Sequence, residues 1–227
     1  MDATYREIVD WASEIDRVSD LLQLARSVFP VPSTLWRSFE QVPTRIWRQL
    51  LRRSATACDP GEYGALDATF FDREVASSHY VERTDRHIQT LKTTPLVDTE
   101  SCAVLDLHCS AHWPHDTQVG RRVALGNTDD IKSLTGDKGY DDQTLRDTLR
   151  SEGVRLLIKH LLFAHYDHAH NTRLESELYR QRWVAKIAIS AIKRRLGPAV
   201  GPSAWYREFS ELVLTATVYN LEQPVKQ

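Results

Sequence analysis

The sequence predicts an α/β fold: a mixed five-stranded sheet flanked by helices and preceded by a small helical segment. Residues 1–57 contain no glycine, and their apolar residues recur at the spacing of amphipathic helices. From Tyr63 onward, short extended apolar runs alternate with helical segments, a pattern typical of a sheet with helices on both faces. The 227 residues, 41% of them hydrophobic, suffice for one large domain or one domain with a small appendage.

The N-terminal segment is expected to form short helices. An apolar stripe runs from Ile8 to Ala25, Pro30-Val31-Pro32 interrupts it, and Pro43 marks the start of another helix. The last of these helices is rich in arginine, a composition typical of DNA-binding helices and equally of a helical layer packed on the following domain. The arginines are Arg45, Arg48, Arg52 and Arg53.

The turn Asp59-Pro60-Gly61 is the best domain boundary in the sequence. We therefore expect a helical segment at residues 1–58, a sheet-containing domain at residues 59–222 and a C-terminal tail at residues 223–227.

Five apolar runs after this turn are predicted to be strands. The second and third are separated only by Thr99-Glu100-Ser101, so they should form an antiparallel hairpin. The later strands need helical crossovers and can lie parallel to the first strand. This order is the ribonuclease H-like layout, in which the first and fourth strands lie side by side. The runs are Tyr63–Phe71, Lys92–Asp98, Cys102–Ser110, Asp130–Thr135 and Val154–Lys159.

Helices are predicted between and after the later strands. One follows His115-Asp116, one runs from Asp141 or Asp142 to Leu149, and a long one covers Leu174–Arg195. Gly197-Pro198 ends the long helix, and a last helix covers Ser203–Asn220. The histidine-rich segment before the long helix is expected to be a loop.

Asp67 and Asp137 each stand at or near the end of an apolar, strand-like run. Two carboxylates on neighbouring strands supply the oxygen ligands that Mg²⁺ prefers. For either acid alone a structural role is the simpler interpretation, with Asp67 capping a turn and Asp137 starting a glycine-containing loop. Taken together, the two acids favour a metal site.

Other features exclude several classes of protein. The net charge of -2 gives no general indication of nucleic-acid binding, and no apolar run is long enough to span a bilayer. The cysteines Cys58, Cys102 and Cys109 lack C-x-x-C spacing, which argues against a structural zinc site and for a reduced, cytoplasmic protein. Four histidines lack metal-site spacing and favour a loop that contacts DNA or orders the start of the next helix. They are His160, His165, His168 and His170.

Several motifs, in this order and spacing, resemble the DDE transposases of insertion sequences that carry the Y-x-x-R-x-x-x-E-x-x-x-x-x-x-K signature. The main ones are Asp67–Phe71, Gly136–Asp141, and Tyr179 with Arg182 and Lys193. The resemblance covers roughly residues 60–222 and implies the ribonuclease H-like fold. Weaker similarity lies in Asp106–His108, His115-Asp116, Leu157–Lys159 and Trp205–Phe209.

The resemblance implies a metal-dependent reaction on DNA. Asp67 and Asp137 would ligate two Mg²⁺ or Mn²⁺ ions, and Tyr179, Arg182 and Lys193 would bind DNA phosphates or orient the helix. The partners would be double-stranded DNA, as element terminal inverted repeats and target DNA, and a second copy in a homodimer assembled on DNA. No membrane partner is expected, and the protein would be cytoplasmic, associated with the nucleoid when bound to DNA.

Two departures from the family pattern change this expectation. Position 186, where the signature places the catalytic Glu, is Lys186, and the helical region before the domain is shorter than in the family. We therefore expect an insertion-sequence transposase whose cleavage and strand transfer are impaired or lost because Lys186 replaces the third acid. The alternative is a non-catalytic DNA-binding protein derived from a transposase. A generic ribonuclease H-like nuclease fits the acids but not the Tyr-Arg-Lys helix.

Overall fold

The computed structural model describes residues 4–25, 28–73, 90–163, 165–174, 176–201 and 205–226, and its contacts divide the chain into two units, 1–43 and 44–227. The first unit contains the helices α1 (Tyr5–Glu14), α2 (Asp16–Leu22) and α3 (Pro32–Gln41). Thr4 and Glu7 form a capping box that fixes the start of α1. Along the described residues, no helix has the length and apolarity to cross a membrane.

The second unit contains a sheet with helices before, between and after its strands. The helix α4 belongs to this unit, and the domain boundary near residue 58 stays a prediction. The strands are β1 (Tyr63–Leu66), β2 (Thr69–Asp72), β3 (Thr90–Asp98), β4 (Val104–Ser110), β5 (Ser133–Gly136) and β6 (Arg155–Leu157). The helices are α4 (Thr44–Thr56), α5 (Asp116–Leu125), α6 (Gln143–Ser151), α7 (His165–Arg173), α8 (Ser176–Arg180), α9 (Trp183–Leu196) and α10 (Trp205–Glu222).

The sheet is mixed and has six strands rather than the predicted five. The predicted first strand, Tyr63–Phe71, is divided at Asp67-Ala68, so that β1 and β2 pair with successive parts of β3. The hairpin of β3 and β4 is antiparallel, as predicted. On its other side β1 pairs in parallel with β5, which pairs in parallel with β6. The order β4-β3-β1-β5-β6 confirms the predicted ribonuclease H-like arrangement.

Apolar side chains lie on both faces of the sheet. Successive residues of a strand point to opposite faces, so consecutive apolar residues contribute to both. On one face, Leu66, Leu96 and Leu134 belong to a buried cluster with residues of α5 and α6. On the other face, β2, β3 and β4 meet α9 and α10 through a second set of buried residues. This second set includes Phe71, Pro95, Leu107, Ile189, Ile192, Leu212 and Ala216.

Two of the four arginines near residue 50 have structural contacts. Arg48 pairs with the buried carboxylate of Asp106, and its guanidinium lies 5.2 Å from the centroid of the Phe209 ring. Arg52 donates hydrogen bonds to the Gly126 carbonyl and to Asn127 Oδ1. For these two residues the structure supports the packing interpretation of α4, since their charged groups bind other parts of the same unit.

The predicted long helix Leu174–Arg195 is wrong in one respect: it consists of α8 and α9, joined by a turn at Gln181-Arg182. The turn uses short-range hydrogen bonds from the Gln181 N–H to the Leu178 carbonyl and from the Arg182 N–H to the Tyr179 carbonyl. The Gln181 side chain is held by Thr99, whose hydroxyl donates to Oε1 at 2.9 Å. A contact with the β3–β4 hairpin therefore fixes the turn.

The histidine-rich segment, predicted to be a loop, contains the helix α7. Asp167 in its first turn is buried and accepts a hydrogen bond from the Phe163 N–H at 2.9 Å. Asn171 bonds both the N–H and the carbonyl of His160, which joins α7 to the chain after β6. These side-chain contacts stabilise a helix that apolar periodicity could not reveal.

Two edges of the sheet are covered by side-chain and backbone contacts. The Asn220 side chain accepts a hydrogen bond from the Val104 N–H at 2.8 Å and donates to the Val104 carbonyl at 2.9 Å. At β2, the Asp72 N–H binds the Pro198 carbonyl, and the Val200 N–H binds the Asp72 carbonyl. The strand β6 ends the sheet on the other side.

Candidate active site

Asp67 and Asp137 lie at the same edge of the sheet. The parallel strands β1 and β5 pair in the register Leu66 with Gly136, and each acid is the next residue along its strand. The expectation that these strands are neighbours is therefore confirmed. Asp137 also accepts a hydrogen bond from the Lys138 N–H at 2.7 Å, so it caps the short 3₁₀ turn Lys138–Tyr140 as well as facing the site.

The Asp67 carboxyl is subject to opposing influences. Burial raises its pKa above the usual range, and the nearby Asp137 carboxylate acts in the same direction. The charge of Lys186, a hydrogen bond from the Ala68 N–H and the charge of Arg182 each lower it, and the net pKa is raised. Lys186 thus exerts the strongest stabilising influence on the ionised form of Asp67.

Arg182 and Tyr179 lie on the Asp137 side of the site. Arg182 Nη1 is 3.2 Å from Asp137 Oδ1, and the guanidinium lies 5.1 Å from the centroid of the Tyr179 ring. Lys159 lies 4.7 Å from the same centroid, and burial raises the pKa of the Tyr179 hydroxyl. Tyr179 therefore supports two cations that border the acids.

Lys193 contacts the protein itself. Its ammonium donates hydrogen bonds to Thr69 Oγ1 at 2.8 Å and to the Phe70 carbonyl at 2.6 Å, and lies 4.9 Å from the centroid of the Phe71 ring. Burial lowers the pKa of Lys193. The contacts of Lys193 fasten α9 to β2, immediately after Asp67-Ala68.

Below the acids lies Tyr140, which is 1% exposed. Its ring fits because Gly120 on α5 has no side chain: a Cβ there would lie 2.5 Å from the ring. Asp116, also near Tyr140, is 2.6 Å from Lys92 Nζ. Lys92 and Tyr140 were not among the predicted site residues. In the sequence, the feature that could have indicated Lys92 is a charged residue at the start of a predicted strand. The feature that could have indicated Tyr140 is its position three residues after Asp137.

The residues present do not fit a pair of divalent ions. The carboxylates of Asp67 and Asp137 face the site together with the cation of Lys186. In the part of the chain that the structure describes, no group of three or more His, Cys, Asp or Glu side chains is placed to hold a metal ion. Lys186 acts on Asp67, and Arg182 contacts Asp137, so a positive charge opposes a metal ion at each acid.

A cavity of about 430 Å³ adjoins the site and is lined by Tyr179, Trp183 and four cationic side chains, among other residues. Trp183 is 54% exposed. Among the described residues, no carboxylate lines this cavity. A basic lining with exposed aromatic surface suits a nucleic-acid backbone and an unpaired base. The cations are Lys159, Arg180, Arg182 and Lys186.

The four histidines of the segment that was predicted to be a loop fall into two pairs. His160 stacks on His170 with 3.7 Å between ring centroids, and its Nδ1 is 3.1 Å from the buried Asp167. His165 and His168 are exposed on α7. The first pair has contacts that join the end of β6 to α7.

Comparison with known proteins adds one finding. The family model described as "Transposase DDE domain" matches residues 60–221, a range that contains every site residue described above. No curated protein matches the chain.

Proposed function

The chain belongs to the DDE transposase family, and we propose that it binds insertion-sequence DNA while Lys186 severely impairs its cleavage and strand-transfer activity. The family generally uses divalent metal ions to cut and join DNA. The finer assignment to the group with the Y-x-x-R-x-x-x-E-x-x-x-x-x-x-K signature is supported by Tyr179, Arg182 and Lys193, which stand at the spacing of that signature.

The observation that carries the proposal is the influence of Lys186 on Asp67. A glutamate at position 186 would add a third carboxylate beside Asp67, whereas Lys186 adds a cation whose charge lowers the pKa of the Asp67 carboxyl. The exchange changes the charge of the site by two units, against the binding of divalent cations. Asp67 and Asp137 stay the proposed metal ligands of an ancestral two-ion site for Mg²⁺ or Mn²⁺.

DNA binding is supported by the cations that remain. The cavity beside Tyr179 and Trp183 brings four positive side chains together without a described carboxylate in its lining. Phosphate contacts from such side chains supply most sequence-independent affinity for DNA. We propose double-stranded DNA as the partner, with terminal repeats and target DNA as its specific forms, and a homodimer as the assembly on DNA.

Restoring the acid tests the proposal. We expect the parent chain to leave a supercoiled plasmid intact in Mn²⁺ or Mg²⁺, and Lys186→Glu to nick it, because the substitution restores a carboxylate ligand. Lys186→Gln removes the cation without adding a ligand and should stay inactive. The double variant K186E/D67N should also be inactive. Nicking by the parent as fast as by Lys186→Glu would contradict the proposal.

The second candidate, a non-catalytic DNA-binding protein that competes with intact copies, is favoured by the charge balance at the acids. Asp67 and Asp137 are matched by Lys186 and Arg182, so the metal-free site does not repel phosphate as three carboxylates would. Duplex binding by the parent should then be insensitive to EDTA. Lys186→Glu should bind duplex more weakly in EDTA. Equal binding of both proteins in EDTA would remove the support for this candidate.

A further inference from the structure

A second basic cleft lies at the β6 end of the sheet, apart from the acids. It has a volume of about 420 Å³ and is bordered by α6, β6 and α7. In the described part of the chain, no carboxylate lines it. The basic residues of its lining are Arg146, Arg150, Arg155, Arg173 and His170.

Two of these arginines are available to an external ligand. Arg146 is buried and bonds Asp141 and the Ile158 carbonyl, so its guanidinium is already used. Arg150 and Arg173 are exposed on α6 and α7, and among the described residues neither guanidinium forms an ion pair or a hydrogen bond. Gathering like charges raises the electrostatic free energy of the cleft, and a bound anion lowers it.

The cleft adjoins the basic cavity beside the acids. Leu174 lines both, so the cationic surface extends from Lys186 and Arg182 to Arg173 and Arg150. The lining of the second cleft includes no Phe, Tyr or Trp among the described residues, in contrast to Tyr179 and Trp183 in the first cavity. A cleft of arginines without a stacking surface suits a phosphate backbone rather than a base.

We propose that the cleft, through Arg150 and Arg173, binds the phosphodiester backbone of the same DNA duplex that lies across the candidate active site. This inference rests on the DNA binding of the proposed function and extends it to a second contact. The cleft acts by positioning: it holds the duplex beyond the acids and contributes affinity without reading sequence.

The NMR signals of the His170 imidazole can show whether the cleft is occupied. Burial and the charges of His160 and Arg146 lower its pKa, while Asp141 and a hydrogen bond to the Ile158 backbone raise it. A phosphate bound against Arg150 and Arg173 adds negative charge and should raise the pKa of His170. The NMR titration of this imidazole with and without duplex therefore measures occupancy directly.

The main test compares two double variants that each lose two positive charges. R150Q/R173Q removes the charges of Arg150 and Arg173 from the cleft, and R45Q/R53Q removes two exposed arginines of α4. Binding of a short fluorescent duplex is measured by anisotropy over a range of salt concentrations. We expect the slope of log K against log salt to become shallower by roughly 2 in R150Q/R173Q, since each phosphate contact contributes about 0.9. The slope of R45Q/R53Q should stay parental.

The outcomes separate this inference from the proposed function. Parental affinity and slope in R150Q/R173Q, or an equal loss in both variants, would overturn the cleft proposal. So would a cleft that binds only free phosphate, detected as a shift of His170 with inorganic phosphate and none with duplex. Failure of Lys186→Glu to nick plasmid while duplex binding is intact contradicts the impaired-transposase function and leaves the cleft result unaffected. Circular dichroism of each variant confirms folding.

Discussion

Lys186 lies close enough to Asp67 for its charge to oppose the rise in the Asp67 pKa that burial causes. Lys186 belongs to α9, and Asp67 directly follows β1. Burial prevails over Lys186, so the pKa of the Asp67 carboxyl stays above its usual range. The site thus contains an acid that is costly to ionise and a lysine that partly offsets the cost.

Asp67→Asn should stabilise the protein at neutral pH. The folded-state pKa of Asp67 is raised, so the folded state holds this proton more tightly than the unfolded chain does, and stability falls as pH rises through that pKa. The asparagine side chain does not ionise, so the stability of this variant does not fall with pH in this way. Its melting temperature relative to the parent should rise between about pH 4 and pH 7 in thermal unfolding with EDTA. Asp59→Asn, in an exposed turn, serves as control; a pH-independent difference for Asp67→Asn would contradict the argument.

Lys193→Met should destabilise the fold. The substitution removes the hydrogen bonds of α9 to Thr69 and Phe70 and leaves only apolar packing between α9 and β2. We expect a loss of roughly 1.5–3 kcal/mol in urea unfolding, the range for hydrogen bonds that involve a charged group. Arg194→Met, an exposed cation on the same helix, should change stability by no more than about 0.5 kcal/mol. Equal stability of the two variants would show that Lys193 is not needed for the fold.

Asn220→Ala should be among the most destabilising single changes in α10. It leaves the Val104 N–H and carbonyl without their partner, and Ser54 Oγ, 3.0 Å from Asn220 Nδ2, loses a donor. Each buried polar group left unpaired costs about 1–3 kcal/mol, so we expect a total of at least about 2 kcal/mol in urea unfolding. Gln49→Ala, exposed on α4, is the matched control. A loss no greater than that of the control would contradict the proposed cover of β4.

Gly120→Ala should displace Tyr140. The new methyl group would lie 2.5 Å from the Tyr140 ring, which is packed below the acids. Overpacking of this kind typically costs about 1–3 kcal/mol, and the near-ultraviolet circular dichroism of the tyrosine should change. Gly126→Ala, whose Cβ would meet nothing closer than 3.4 Å, is the control and should be close to neutral. Unchanged stability in Gly120→Ala would mean that the ring can move freely.

The neighbouring positions of Asp67 and Asp137 followed from the sequence, because short apolar runs and a three-residue hairpin connection leave few ways to order the strands. The turn at Gln181-Arg182 did not, since the surrounding residues favour a helix and the turn depends on a hydrogen bond from Thr99, distant in the chain. The local periodicity of apolar residues cannot indicate a contact with a residue so distant in the sequence.

The sequence left phosphate binding and orientation of the helix as alternatives for Lys193, and it could not show which atoms Lys193 contacts. A lysine on a helix is usually solvated, and only the fold shows that this one lies against the Phe70 carbonyl. The same holds for Arg48, which belongs to a basic stretch in the sequence and pairs with Asp106 in the structure. A charge pattern shows where cations are, but it does not distinguish those that bind the protein from those that bind a ligand.

The outer edge of β6 has a consequence for the behaviour of the protein in concentrated solution. Contacts of Asn220 and of Val200 cover backbone groups of β4 and β2, whereas β6 ends the sheet beside Arg150 and Arg173. An edge strand can pair with the same strand of another molecule and so start aggregation. Here two such edges would bring their arginines together, and the repulsion disfavours strand addition until an anion neutralises the charges. High salt or polyphosphate should therefore promote self-association of this protein.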